Sequence, residues 1–162
     1  SAKELDNEIA LVTGASRGIG LAIALELGRQ GATVIGTATS NGGAGKIGEA
    51  LKAQGIQGQG LVLNVTDQGS IDTALTEIQS AWGAPSILVN NAGITRDNLL
   101  MRMKDEEWDE ILDTNLKSIF RMSKAVVRGM TKARKGRIIS ISSIVGSSGV
   151  YCARNASRGI GE

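Results

Sequence analysis

The sequence predicts a doubly wound α/β fold of Rossmann type, a parallel sheet with helices on both faces. Three observations point there. Short, apolar, β-rich runs alternate along the chain with longer stretches of helical period. The runs are apolar throughout rather than alternating, as in strands covered on both faces. And a glycine-rich phrase, "TGASRGIG" (Thr13 to Gly20), falls at the junction of the first run and the first helical stretch, where a phosphate-binding turn belongs.

The elements follow in order. "IALVTG" (Ile9 to Gly14) is the first strand; beyond it Ile19, Ala22, Ile23 and Leu27 recur on one helical face, and Gly31 closes that helix. "TVIGT" (Thr33 to Thr37) reads as a second strand, "AGKIGEALKAQG" as a glycine-softened helix, and "GLVLNV" (Gly60 to Val65) as a third strand. Ile71, Ala74, Leu75, Ile78 and Trp82 mark another helix, and "SILVNNAG" is the fourth strand. A long helical pattern runs from Asp105 to about Ala133, and "RIISIS" (Arg137 to Ser142) is the fifth strand. Repeated βα units imply parallel strands with right-handed crossovers. The pattern then fails. The sheet is therefore expected to stop after the fifth strand, with residues 1–149 as one Rossmann-type domain and 150–162 as an atypical tail foreign to the fold.

Composition limits the chemistry. The 162 residues are 41% hydrophobic and 21% charged, as in a soluble domain with one core. No apolar run approaches the ~20 residues that span a bilayer, and no signal peptide opens the chain. A net charge of +2 is too small to argue for nucleic acid. Cys152 stands alone and histidine is absent, which removes an internal disulfide, the usual zinc sets and Ser-His-Asp hydrolysis. A reducing cytoplasm is the simplest setting.

In a strand-to-helix turn, Gly14 permits a tight bend, Gly18 lets the backbone approach a pyrophosphate, and Gly20 lets helix and strand pack. The helix N-terminus offers free N–H groups and a positive dipole end to the anion. A merely tight turn is the plainer alternative. At the end of the second strand, "GTATS", no carboxylate is present to hold a ribose diol. Arg17 and the hydroxyls of Thr37, Thr39 and Ser40 are instead suited to a 2′-phosphate, which favours NADP over NAD, unless Arg17 is only a solvated charge.

With "TGASRGIG" joined by "NNAG" (Asn90 to Gly93), the chain resembles the short-chain dehydrogenases/reductases. The run "NNAGITRDNLLMRMKDEEWDEILDTNL", with "LNVTD" and "GRIISISSIVG", narrows the likeness to the bacterial 3-oxoacyl-[acyl-carrier-protein] reductases of fatty acid synthesis, over about Ile9 to Gly149. The resemblance implies NADPH-dependent reduction of a 3-oxoacyl thioester. It adds Ser16 and Ile19 to the cofactor turn, puts Asn64 and Val65 at the adenine pocket, and runs Asn91, Ala92, Gly93 and Ile94 beside the nicotinamide-side ribose. "NNAG" as a sheet-closing turn is the alternative. Asn115, within a helix, corresponds to the asparagine that holds a water of the proton relay, and Ser143 to the serine that hydrogen-bonds the substrate carbonyl. Either also reads as an ordinary surface or loop residue.

The basic end of the long helix, "RGMTKARKGR", is ordinary dipole stabilisation by default. In the family, basic residues here help dock the acidic acyl carrier protein, which assigns that role to Arg134, with Lys132 and Arg128. The family's tyrosine and lysine, one helical turn apart, protonate the carbonyl oxygen and lower the tyrosine pKa. Those positions fall on Ala156 and Ile160, while Tyr151 comes too early and has Asn155 in place of its lysine. The terminal "ASRGIG" repeats the first turn without a strand before it. The resemblance thus implies a homo-tetrameric reductase if complete. A catalytically inactive NADP-binding fragment and a reductase of another small carbonyl compound are the alternatives.

Overall fold

The computed structural model describes residues 2–91, 104–144 and 147–153, from residue 142 onward as backbone alone. The order is β1 (Ile9–Val12), α1 (Gly18–Arg29), β2 (Thr33–Ala38), α2 (Asn41–Ala53), β3 (Gly58–Val62), α3 (Gln68–Ala81), β4 (Ile87–Asn90), α4 (Asp105–Ala133), β5 (Arg137–Ile144) and β6 (Ser147–Ala153). The sheet order is β3-β2-β1-β4-β5-β6. The first five strands are parallel, as expected. The chain reverses between β1 and β4, so the loops after those two strands meet at the carboxyl edge of the sheet, where an open α/β fold leaves a crevice.

Burial explains the strand composition. Every residue of β4 is buried, as are Ala10, Leu11 and Val12 of β1. On one face, α1 and α2 cover Ala10, Val12, Val34 and Val89. On the other, α3 and α4 cover Leu11, Ile35 and Leu88. Strand β3 differs, being only half-buried, because it is an outer strand. It begins at Gly58, earlier than the apolar run suggests, and gives way to a turn at Asn64, whose side-chain oxygen accepts the Thr66 N–H at 3.0 Å. Helix α2 likewise starts before its apolar pattern, at Asn41, because the Ser40 hydroxyl accepts the Gly43 N–H at 3.1 Å and caps it.

Two features depart from the periodicity. Helix α1 buries only part of the expected face: Ile23 and Leu27 pack partly against the core, whereas Ala22 is exposed and Ile19 is 56% exposed. Its fully buried residues are Gly20, Ala24 and Gly28, spaced four apart. A methyl group on Gly28 would lie 2.4 Å from Ile56, so this helix is seated closer than side chains of ordinary size allow. The second departure is β6, which pairs antiparallel with β5 from Ile138↔Ala153 to Ile144↔Ser147. Residues 150–153, assigned by sequence to the tail, form the far part of that strand.

Candidate cofactor site

The turn between β1 and α1 is held from both sides. Thr13, just beyond β1, donates its backbone N–H (3.0 Å) and its hydroxyl (3.3 Å) to the Val89 carbonyl of β4. Its hydroxyl oxygen in turn accepts the Asn91 N–H at 3.0 Å. Asn91 returns the tie, donating its side-chain amide to the Gly14 carbonyl at 3.0 Å. On the other side Ala15 N–H bonds the Thr37 carbonyl at 2.9 Å. The two expected site segments, the glycine turn and the start of "NAG", are thereby locked across the β1–β4 reversal. Thr13 was not among the residues expected from sequence; only its position between two strands far apart in the chain reveals its part.

Gly14 and Gly18 have φ of 62° and 59°, a region costly for residues with a Cβ. A Cβ on Gly18 would meet nothing within 4 Å, so its backbone faces open space. One on Gly20 would lie 2.1 Å from the Gly14 carbonyl oxygen and 2.4 Å from Asn91, which no side chain tolerates. Helix α1 begins at Gly18 with Arg17 as N-cap, makes no side-chain capping bond and has no acidic residue in its first turn. By contrast α2 and α3 are capped by Ser40 and Asp67. An uncapped helix end beside an open glycine backbone suits a diphosphate, whose oxygens satisfy the free N–H groups.

The residues expected to receive a 2′-phosphate stand at the neighbouring positions. Arg17, Thr39 and Ser40 are exposed. Thr37 is 1% exposed within β2, so the groups open to such a phosphate are the other three. Ser16 adjoins the first turn of α2: a Cβ on Gly43 would come within 3.5 Å of it. Asn64 and Val65 follow β3 on the same carboxyl edge; Asn64 is exposed and Val65 packs partly into the α3/α4 core. Asn115 is half-buried on α4, one turn before buried Ser118, whose hydroxyl donates to the Thr114 carbonyl at 2.8 Å. Ser143 lies on β5, paired with Ser148 of β6. Ala92, Gly93, Ile94, Ala156 and Ile160 lie outside the described residues.

The model of the short chain dehydrogenase family matches residues 8–157. The chain belongs to that family. Among its relatives within the short chain dehydrogenases is the 3-oxoacyl-[acyl-carrier-protein] reductase FabG of Pseudomonas aeruginosa, 65% identical over 145 residues, which are 90% of this chain and 59% of that protein. FabG of Escherichia coli is 62% identical over 144 residues, 89% of this chain and 58% of the relative. That of Haemophilus influenzae is 59% identical over 158 residues, 94% and 64%. This short chain dehydrogenase thus spans about three fifths of the length of these relatives.

At the opposite edge of the sheet, the end of α4 meets the starts of β1, β4 and β5. Lys135 Nζ reaches the Glu8 carboxylate at 2.8 Å. Ser86 donates its hydroxyl to the same carboxylate and accepts the Ile9 N–H at 3.0 Å. Burial pushes the Glu8 pKa up, but hydrogen bonds from Lys135 and Ser86 and the charges of Lys135 and Arg137 outweigh it and hold the group below the ordinary carboxylate range. Glu4, Arg134 and Arg137 line the same cavity of about 580 Å³. Arg128, Lys132 and Arg134 are exposed here. Because α4 runs back across the sheet, these cations sit at the edge remote from the glycine turn.

Among the described residues, no helix is long and apolar enough to cross a membrane, and no cluster has the makings of a metal site.

Proposed function

We propose that this chain is the cofactor-binding part of an NADPH-dependent reductase that converts 3-oxoacyl groups on acyl carrier protein to 3-hydroxyacyl groups in cytoplasmic fatty acid synthesis. The observation that carries the reading is the open, uncapped α1 terminus at Gly18, bounded by Gly14, Gly20 and Asn91. Identities near 60–65% to FabG proteins over most of the chain support the substrate class.

The residues divide the work along the crevice. Backbone N–H groups of Ser16 to Gly20 receive the diphosphate, and Arg17 with Thr39 and Ser40 receives the 2′-phosphate. Asn64 and Val65 bound the adenine, and Asn91 to Ile94 line the nicotinamide-side ribose. Bound NADPH supplies the hydride for the substrate carbonyl. Ser143 orients that carbonyl and Asn115 holds a water of the proton path. Protonation of the carbonyl oxygen is the family tyrosine's task, and Ala156 occupies its position.

Arg134, Lys132 and Arg128 attract the acidic carrier protein. Assembly into a homo-tetramer is supported by an apolar stripe on α4, where Leu112, Leu116 and Phe120 follow one another at four-residue spacing with Phe120 64% exposed.

Titration calorimetry with NADP and NAD tests the reading: saturable binding with NADP preferred supports it, and folded protein that takes up neither nucleotide overturns it. NADPH oxidation with an acetoacetyl thioester then measures turnover. Absence of the general acid alone lowers rate by ~10²- to 10⁴-fold, so a chain relying on Ala156 and Ile160 is expected to run near background.

A further inference from the structure

We propose that Arg121 is a positioning residue for the adenosine half of the dinucleotide, acting through the loop between β3 and α3; this rests on the NADP reading above. The loop is built by its own polar groups. The Asn64 side-chain oxygen accepts the Thr66 N–H at 3.0 Å and the Thr66 hydroxyl at 2.6 Å. Asn64 N–H donates to the Ser70 hydroxyl at 3.0 Å, Asp67 N–H to the Asn64 carbonyl at 3.1 Å, and Asp67 caps α3 through the Gly69 N–H at 2.9 Å. These bonds give the loop its shape and leave its place relative to the sheet to other contacts. The side-chain oxygen of Asn64 is engaged within the loop by Thr66, so the placing of the whole turn sets what adenosine meets.

That position is tied from a distant element. Arg121, half-buried on α4, donates from its guanidinium to the Thr66 carbonyl at 3.3 Å across 55 positions of sequence. Its neighbour Met122 is buried in the core cluster against which Val65 of the loop packs. Arg121 thus ties the loop to α4 by a polar contact, beside the core cluster on which Val65 rests. The same helix carries Asn115 six positions earlier, about 9 Å along the axis. A planar guanidinium suits the task because its donors point in fixed directions, whereas a lysine offers a mobile point charge.

Calorimetry on the full chain and its Arg121→Gln and Arg121→Lys variants, with NADP, adenosine 2′,5′-bisphosphate and nicotinamide mononucleotide, tests the proposal. Arg121→Gln is expected to weaken NADP and the bisphosphate by a common factor between about two and ten, to leave the mononucleotide unchanged, and to speed amide exchange at Thr66 to Ser70. Arg121→Lys recovers part of the loss. Equal weakening of all three ligands, or unchanged bisphosphate affinity, overturns the role of Arg121 while leaving NADP binding intact. If the unaltered chain binds neither NADP nor the bisphosphate, the cofactor reading falls and this inference with it.

Discussion

At the scale of single residues, Gly18 and Gly20 do different work and separate under the same substitution. Gly20→Ala puts a methyl 2.1 Å from the Gly14 oxygen, so helix and turn must part. A loss of about 1–3 kcal/mol of stability is expected, with NADP binding lost as well. Gly18→Ala meets no neighbour and pays only for its left-handed backbone, about 1–2 kcal/mol, yet places its methyl where the diphosphate would approach. Urea unfolding and nucleotide titration on the pair check this: a Gly18→Ala protein that binds NADP as well as the unaltered chain would remove the diphosphate from this turn. Glu8 makes a separate, pH-dependent prediction. Its folded pKa lies below its unfolded value, so its contribution is complete above about pH 4.3 and is lost as pH falls through the folded value. Glu8→Gln should cost on the order of 1 kcal/mol near neutrality and flatten the acid limb of a stability–pH curve measured by chemical denaturation.

At the scale of elements, α4 shows how a helix can be plain in sequence and still hide its purpose. Its bounds, Asp105 to Ala133, follow the long helical period, with Asp105, Glu106 and Glu107 in the first turn. The inward face is Ser118, Met122, Val126 and Met130, and Met122→Ala should destabilise by about 2–5 kcal/mol in urea unfolding. The first four parallel strands were legible because each is a compact apolar run with a helix after it, and the fifth because it follows the long helix. The seat of α1 was not, since Gly20, Ala24 and Gly28 carry little hydrophobic signal while the bulkier Ile19 lies exposed. Nor was β6: "SSGVYCA" has no regular apolar alternation, and its strand character comes from pairing with β5. In the site, the glycine turn was readable as a local motif. The parts played by Thr13 and Arg121 were not, because their partners Asn91 and Thr66 are distant in sequence.

At the scale of the whole molecule, the sheet keeps its two edges chemically apart, glycine backbone and amide groups at one and the Glu8–Lys135 cluster with its surrounding cations at the other. The apolar stripe on α4 adds a question of assembly. Replacing Leu116 and Phe120 by aspartate is expected to lower the sedimentation coefficient if the stripe joins copies of the chain, since both side chains already lie outside the core and their exchange leaves it undisturbed. The seating of α1 reaches furthest. Gly20 lies so close to the Gly14 carbonyl and the Asn91 side chain that the N-terminal end of α1 leaves no room for a side chain against the glycine turn. On the nucleotide reading proposed above, retuning of preference is channelled outward, to the exposed Arg17, Thr39 and Ser40, where side chains can change size and charge without lifting α1.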